Sequence, residues 1–271
     1  MNAAKWDARM ERASKLAAAY PFASEGLRFY ERLTRFHRTL YNQIEGACGS
    51  AKHLRPSATL RQEFDAFLLL PQFDPFLSLI VEIAPAPLAP FANELRSRGG
   101  SDWQQMLLRF WQDGSGPQAN SEPFETVLSW LFLQPYAEYL ADHTDSKPPI
   151  GTPSICPVCG SKPAVAALRP EGDGAKRTLI CALCATEWNY RRIVCPACGE
   201  EDVTKLAIYT CKEFTHVRVE ACDGCGCYLK AVDLTKDGHA IPVVDELATI
   251  SLDLWAGEHS YRKLRTNLLG L

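Results

Sequence analysis

The fold of this chain is decided by four cysteine-containing motifs: CPVCG at 156–160, CALC at 181–184, CPACG at 195–199 and CDGCGC at 222–227. Eight of the eleven cysteines lie here in pairs separated by two residues. The pairs are Cys156/Cys159, Cys181/Cys184, Cys195/Cys198 and Cys222/Cys225. Chance does not explain eight cysteines at one repeated spacing, and the pattern predicts two metal sites with four thiolate ligands each.

An internal duplication orders these pairs. Strand-like runs at 163–169 and 176–181, joined by a turn, separate the first pair from the second. The same order follows the third pair, with runs at 205–209 and 216–222, and corresponding pairs are 39 and 41 residues apart. Because a hairpin between two cysteine turns brings those turns face to face, each hairpin is expected to complete one four-cysteine site.

Site one is therefore expected to contain the first and second pairs, and site two the third and fourth. The alternative, in which the second pair joins the third, leaves only ten residues between pairs and splits both hairpins. Glycine follows three of the four pairs, at 160, 199 and 226, where a tight cysteine turn needs conformational freedom. Ala185 breaks that pattern after the second pair.

Four soft thiolates suit zinc or iron, and spacing alone does not separate the two metals. Zinc is the usual ion of structural ribbons, whereas a single iron in the same cage is a rubredoxin-type centre that can exchange one electron. Either ion could simply hold together a small hairpin domain that has little core of its own. Cys48, Cys211 and Cys227 lie outside the pairs and are interpreted as ordinary small residues, although Cys227 could substitute as a ligand beside Cys225.

Residues 1–145 show helical periodicity, and we interpret their aromatic stripes as core. Ser57 is a predicted helix N-cap, and Pro135 is predicted to kink or break a long helix near Leu133. The isolated histidines are interpreted as surface or hydrogen-bonded core residues, since none has a partner at metal-ligand spacing: His37, His53 and His143.

The predicted fold class is α+β, with a helical domain at 1–147 and a double metal-ribbon domain at 148–271. A Pro/Ser/Gly-rich linker at 144–154 marks the boundary. The ribbon domain is divided into unit one, residues 154–192, and unit two, residues 193–232, followed by a C-terminal helix and tail. That helix is predicted to start at Asp245 or Glu246 and to bury one face, formed by Leu247, Ile250, Leu254 and Trp255.

Charge and hydropathy exclude several classes of protein. The net charge of −3 and the pI near 6.1 give no general attraction for nucleic acid or anionic membranes. No apolar run approaches the roughly 20 residues of a membrane span, and the charged N-terminal segment is unlike a signal peptide. We therefore expect a cytoplasmic protein without direct membrane insertion, in which paired cysteines bind metal or act in redox chemistry.

Two features near the cysteines have alternative interpretations. The segment 188–192, WNYRR, either packs the two units together or exposes a protein-binding strip. His216 could approach site two, where four cysteines already satisfy a metal ion.

The chain resembles the formate dehydrogenase accessory protein family. Four motifs carry this resemblance: CPVCGSKPAV, CALCATEWNYRRIVCPACG, VRVEACDGCGCYLK and VDELATISLDLWA. The likeness is strong across 154–256. It is weaker in the helical half, where LQPYAEYLA carries it, and the N-terminus is short for the family.

The resemblance implies a non-enzymatic protein that assists the maturation of formate dehydrogenase by binding its catalytic subunit in the cytoplasm. It also implies two rubredoxin-type centres, so iron is preferred and zinc is the alternative. The implied ligands are Cys156, Cys159, Cys181, Cys184, Cys195, Cys198, Cys222 and Cys225.

Two alternatives belong to other classes. A zinc-ribbon nucleic-acid-binding protein would need a basic stripe, for which the available residues are Lys176, Arg177, Arg191, Arg192 and Lys205. A thiol oxidoreductase would need a reactive cysteine in a βαβ context, which the sequence lacks.

Overall fold

Helices form the first half of the chain, and a mixed sheet followed by two helices forms the second, so the predicted α+β class is confirmed. The computed structural model describes residues 3–48, 60–86, 88–113, 124–144 and 153–267. The helices are α1 (Ala3–Ala19), α2 (Ser24–Cys48), α3 (Ala66–Leu69), α4 (Phe73–Ile83), α5 (Leu88–Arg98), α6 (Gly100–Asp113), α7 (Phe124–Asp142), α8 (Pro242–Ala248) and α9 (Ile250–Glu258). The strands are β1 (Pro163–Glu171), β2 (Gly174–Cys181), β3 (Glu187–Asn189), β4 (Ile208–Thr210), β5 (Val217–Cys222), β6 (Cys227–Asp233) and β7 (Arg262–Lys263).

The helical half is built around α2 and α7. Apolar residues recur every three or four positions along α2, and Leu33, Leu40 and Ile44 on that face are fully buried. Phe73 and Phe132 add an edge-to-face ring contact with centroids 4.8 Å apart. The aromatic stripes therefore belong to the core, as predicted.

The predicted N-cap Ser57 lies outside the described residues, and the next α-helix of the described chain begins at Ala66 with Asp65 as its N-cap. The Asp65 side chain accepts a hydrogen bond from the Leu68 backbone N–H at 3.0 Å and caps α3. A separate 3-10 turn at Leu60–Gln62 precedes it, because the chain first turns to contact the cysteine-rich half.

Of the kink or break predicted near Leu133, the break is wrong, since α7 runs unbroken through Pro135. Proline has no N–H, so the Leu131 carbonyl, four residues earlier, loses its usual helical donor. The buried His37 ring supplies the replacement, because its Nε2 lies 2.7 Å from the Leu131 oxygen. The prediction for His37 as a hydrogen-bonded core residue is thereby confirmed. His143 is buried with Nδ1 2.8 Å from the Tyr139 oxygen, and His53 lies outside the described residues.

Replacing His37 by phenylalanine should make stability less dependent on pH. Burial lowers the pKa of His37 from 6.5 to about 4, so the unfolded chain takes up a proton as pH falls from about 6.5 to 4 while the folded chain does not. The contribution of neutral His37 is complete above pH 6.5 and declines by up to about 3 kcal/mol toward pH 4. Thermal unfolding of both proteins between pH 7.5 and 4.5 measures this.

At pH 7.5 the phenylalanine variant should be less stable by about 1–3 kcal/mol, because the Leu131 carbonyl is left without a donor. The gap should shrink as the pH falls. A gap that stays constant across this pH range would contradict the assignment of a neutral, donating imidazole.

The expectation that no apolar run could span a membrane needs correction. By length and composition alone, residues 66–83 are sufficient to cross one. The stretch is divided by a 3-10 turn at Leu70–Gln72, and Phe73, Phe76 and Ile80 within it are fully buried against neighbouring helices. Its apolarity thus contributes to the protein core.

The two cysteine units join in one sheet of strand order β3-β2-β1-β6-β5-β4, with β7 beside β6. Each unit contributes an antiparallel three-stranded meander, and β1 and β6 pair in parallel to connect them. Ala166 lies opposite Ala231 and Ala167 opposite Val232 in that pairing. The local spacing had predicted the hairpins but not this long-range junction.

The predicted C-terminal helix differs in its start, its continuity and its buried face. It begins at Pro242, and Thr249 separates it into α8 and α9. Leu254, which was expected in the core, is 55% exposed, whereas Glu246 and Asp253 are buried. The reason is a pair of buried lysines on the sheet, which draw the acidic face of the helices inward.

Candidate metal centres

The eight paired cysteines come together in two groups of four, with the pairing predicted from the hairpins. Within each group, all four sulfurs lie within 4.8 Å of one another. In site one, Sγ–Sγ distances are 3.6 Å for Cys156–Cys184 and 3.3 Å for Cys159–Cys181. In site two, the two corresponding distances are both 3.8 Å. The eight residues carry thiols rather than disulfides.

This geometry fits a tetrahedral ion. With metal–sulfur bonds of about 2.3 Å, the sulfurs of a tetrahedral site are about 3.8 Å apart. Site two has that spacing, and site one is contracted by a few tenths of an ångström. The donor set, four thiolates without oxygen or nitrogen, suits zinc or iron.

The cysteine turns repeat one backbone pattern. The Cys156 N–H donates to the Ser161 oxygen at 2.8 Å, and the Cys195 N–H donates to the Glu200 oxygen at 2.9 Å. The glycine after each of these pairs returns a bond to the first cysteine of the pair, at 2.9 Å in both cases. These backbone hydrogen bonds orient the cysteine sulfurs. The duplication predicted from the sequence is therefore also present in the hydrogen-bond geometry of the turns.

Ala185 takes the position that glycine takes after the other pairs, and it adopts the same left-handed backbone. Its φ is 53°, compared with 74°, 79° and 67° at Gly160, Gly199 and Gly226. An L-residue with a side chain is strained there by about 1–2 kcal/mol. The turn after the second cysteine pair thus forms even though alanine, rather than glycine, occupies its left-handed position.

Substitution of Ala185 by glycine should stabilise the protein by about 0.5–1 kcal/mol, because relief of strain exceeds the added entropy of the unfolded chain. Ala182, in the same turn but without a positive φ, is the matched control, and its replacement by glycine should destabilise. Thermal unfolding of the two metal-loaded variants measures both changes in stability. Equal losses in both variants would rule out strain at residue 185.

Thiols within each site differ in acidity. Hydrogen bonds from the other three thiols hold the pKa of Cys159 well below its usual value, whereas burial raises the pKa of Cys181 and Cys184 well above it. In site two, burial raises the pKa of Cys195 to about 11. Burial also acts to raise the pKa of Cys198, but hydrogen bonds from a backbone N–H and the neighbouring thiols outweigh burial, so this pKa lies below its usual value. Since metal ligands must be deprotonated, metal uptake releases protons.

The two sites differ most in their surroundings. All four cysteines of site one are buried, at 2–3% exposure. In site two Cys198 is exposed and Cys225 is half-buried. A groove of about 200 Å³ adjoins site two, with Cys195 and Cys222 in its wall and the more than half-exposed Val203 at its side.

The helical half holds both turns of site one. The Leu60 N–H donates to the Val158 oxygen at 3.3 Å, and Arg61 Nε donates to the Cys159 oxygen at 3.2 Å. Trp130 and Gln134 of α7 both donate to the Ala182 oxygen at 3.2 Å. Sequence reasoning missed these residues, and no local spacing signals contacts that join positions about 50 to 100 residues apart.

Two residues expected near the metal sites have other partners. His216 lies 2.8 Å from Asp245, which Arg12 also contacts, and this links α1 to α8. Cys227 is buried but belongs to neither group of four. Its prediction as an ordinary small residue is consistent with that position.

The segment 188–192 is not an exposed aromatic strip. Trp188 and Tyr190 are buried in the core, while Arg191 and Arg192 remain exposed. The packing interpretation accounts for the aromatic residues, and Trp188 Nε1 donates to the Pro153 oxygen at 2.9 Å.

Comparison with known proteins follows the same division of the chain. The FdhE central domain matches residues 155–192, and the FdhE C-terminal domain matches residues 193–269. The crystal structure of the FdhE protein from Pseudomonas aeruginosa is similar with a TM-score of 0.72 at 25% identity, over 99% of this chain and 96% of that chain. The cysteine-rich half of this chain therefore resembles FdhE proteins in sequence, and nearly the whole chain resembles one in structure.

Curated FdhE homologues agree with this resemblance. One from Aquifex aeolicus is 27% identical over 96% of this chain and 94% of its own length. One from Haemophilus ducreyi is 35% identical over 49% of this chain, and the match spans 44% of that relative. The resemblance to formate dehydrogenase accessory proteins seen in the sequence is thereby confirmed.

Proposed function

We propose that this protein is an accessory factor that binds the catalytic subunit of formate dehydrogenase in the cytoplasm during maturation, and that it catalyses no reaction of its own. Similarity to FdhE proteins, in sequence across both cysteine units and in structure over nearly the whole chain, is the observation that carries this proposal. The eight-cysteine geometry is consistent with a protein whose specialised chemistry is metal binding rather than substrate turnover.

We propose further that the eight cysteines hold two metal ions, with iron preferred and zinc as the alternative. Anaerobic purification followed by metal analysis and visible absorption tests the identity of the metal. About two irons per chain with thiolate-to-iron absorption bands would support redox-active centres. Two zinc ions and a colourless protein would favour scaffolding.

The division into a helical domain at 1–147 and a ribbon domain at 148–271 is kept as part of the proposal. The linker expected at 144–154 falls mostly outside the described residues. One hydrophobic cluster includes both Trp111 from the helical half and Trp188 from the ribbon half. Such a shared core favours two domains that act as a unit.

The nucleic-acid alternative loses support from the ion pairs of the candidate basic stripe. Arg177 is buried against Glu220 at 2.6 Å, and Arg191 pairs with Glu201 at 2.5 Å. Lys205 lies 3.2 Å from a carboxylate and Lys176 3.7 Å from another. Paired cations contribute little attraction for phosphate, so the accessory role is preferred.

Co-purification with a tagged catalytic subunit of formate dehydrogenase tests the accessory role. The metal-loaded protein should be retained by the immature subunit and much less by an unrelated exported enzyme used as a control. Cell fractionation should place it in the cytoplasm. If a protein carrying both metal ions is not retained, the proposed partner is wrong.

A further inference from the structure

Site one and site two have the same ligands and the same turns, yet different neighbours. The turns of site one are contacted by α7 and by the 60–61 segment of the helical half. The turns of site two are held by nearby chain from their own half. The Asp223 N–H donates to the Lys205 oxygen at 2.8 Å, and the Arg262 N–H donates to the Gly226 oxygen at 2.7 Å.

Arg61 is the central contact of site one. Its guanidinium donates to the Cys159 oxygen at 3.2 Å and to Ser161 Oγ at 3.0 Å. It also donates to the oxygens of Phe110 and Trp111, at 3.3 and 3.0 Å, at the end of α6. One side chain therefore ties the first cysteine turn to the helical half.

The charge of Arg61 also acts on the sulfurs. Burial lowers the pKa of Arg61, and all four thiols of site one act in the opposite direction, which places each of them within electrostatic reach of the guanidinium. Four thiolates around a divalent ion carry a net charge of −2. A half-buried cation beside them offsets that charge where water has little access.

We propose that the two centres have divided roles: site two exchanges its metal ion with solution, whereas site one retains its ion as the joint between the halves, with Arg61 as the positioning residue of that joint. This inference rests on the proposed assignment of the eight cysteines as metal ligands. It goes beyond that assignment by making the two sites unequal.

Access explains the difference in exchange. A chelator removes a divalent ion by replacing the thiolates one at a time, and each released thiolate takes up a proton from water. At site two the exposed Cys198 can be released first, and the adjoining groove admits a small chelator. At site one release requires the Arg61, Trp130 and Gln134 contacts to open first.

The test uses the full chain loaded with two zinc ions and mixed with excess colorimetric chelator. We expect two phases of one zinc each, with the fast phase at least about tenfold faster than the slow one. Replacing Cys198 by serine should abolish the fast phase, which assigns it to site two. Arg61→Gln should accelerate the slow phase alone. Arg191→Gln, at an exposed ion pair beyond site two, is the matched control and should leave the slow phase unchanged.

A second readout separates positioning from general destabilisation. With iron in both sites, the reduction potential of one centre should become more negative in Arg61→Gln, because the lost positive charge stabilised the more negative reduced state. Arg61→Lys, which keeps the charge, should recover most of this shift. General loosening of the fold would not distinguish lysine from glutamine in this way.

Three outcomes overturn the inference. These are release of both zinc ions in one phase, a slow phase that Arg61→Gln does not change, or a reduction potential equally shifted in the lysine and glutamine variants. Failure to bind two zinc ions per chain would instead refute the ligand assignment, and the inference with it. None of these measurements involves formate dehydrogenase, so their results are independent of the partner proposed above.

Discussion

Replacing Cys159 by serine should release the metal ion of site one and lower the stability of the whole chain. Cys159 supplies one of four sulfurs, and its backbone oxygen accepts the bond from Arg61, so the metal and the joint between the halves share one turn. Structural zinc contributes about 10–16 kcal/mol of apparent binding free energy in small zinc domains, and most of this is linked to folding. We expect a loss of at least about 4 kcal/mol, measured by thermal unfolding together with metal analysis.

Two comparisons make this prediction specific. Cys211→Ser, at a half-buried cysteine outside both sites, should keep two metal ions and near-normal stability. Cys198→Ser should lose the ion of site two with a smaller fall in the unfolding temperature, because the turns of site two do not carry the Arg61 contact. If Cys159→Ser and Cys198→Ser lose equal stability, site one is not the joint.

The second large effect is expected at Lys230, which is fully buried beneath α8 and α9. Its Nζ lies 2.6 Å from Asp253 and 3.0 Å from Glu246, and buried Lys263 contacts the same two carboxylates. Burial acts to raise the pKa of Asp253, but the two lysines outweigh it and lower that pKa. The group therefore holds two positive and two negative charges in balance.

Lys230→Met should destabilise the protein by about 3–5 kcal/mol, because it leaves two buried carboxylates beside a single lysine. The double variant Lys230→Met, Asp253→Leu restores the balance with the pair formed by Lys263 and Glu246. It should recover part of the loss, and urea unfolding of the unsubstituted protein, both single variants and the double variant gives the coupling free energy. A loss of stability below about 1 kcal/mol in the single variant would mean that water reaches the two carboxylates and compensates their charge.

The part of the site that could be predicted was the part encoded by local spacing. Two cysteines separated by two residues form a turn, and a hairpin brings two turns together, so the ligand grouping followed from the sequence alone. The left-handed backbone at Ala185 could not be predicted from residue type. It follows the turn that all four cysteine pairs share, in which the residue after the pair has a positive φ.

Long-range contacts account for what was missed. Arg61 meets Cys159 across 98 residues, and no periodic pattern marks such a contact. The C-terminal helices were oriented by apolar periodicity, but two buried lysines reversed the preference and brought Asp253 inward. Pro135 was expected to kink or break a helix, yet the helix continues and a histidine from α2 supplies the missing hydrogen bond.

The parallel pairing of β1 with β6 has a consequence for synthesis of the chain. Strand β1 is complete at residue 171, but its partner β6 ends only at residue 233. Until those later residues emerge, one side of β1 presents unpaired backbone groups to other chains. The first metal unit therefore spends about sixty residues of translation with an open edge, and a nascent chain that stalls in this interval is the form most exposed to aggregation.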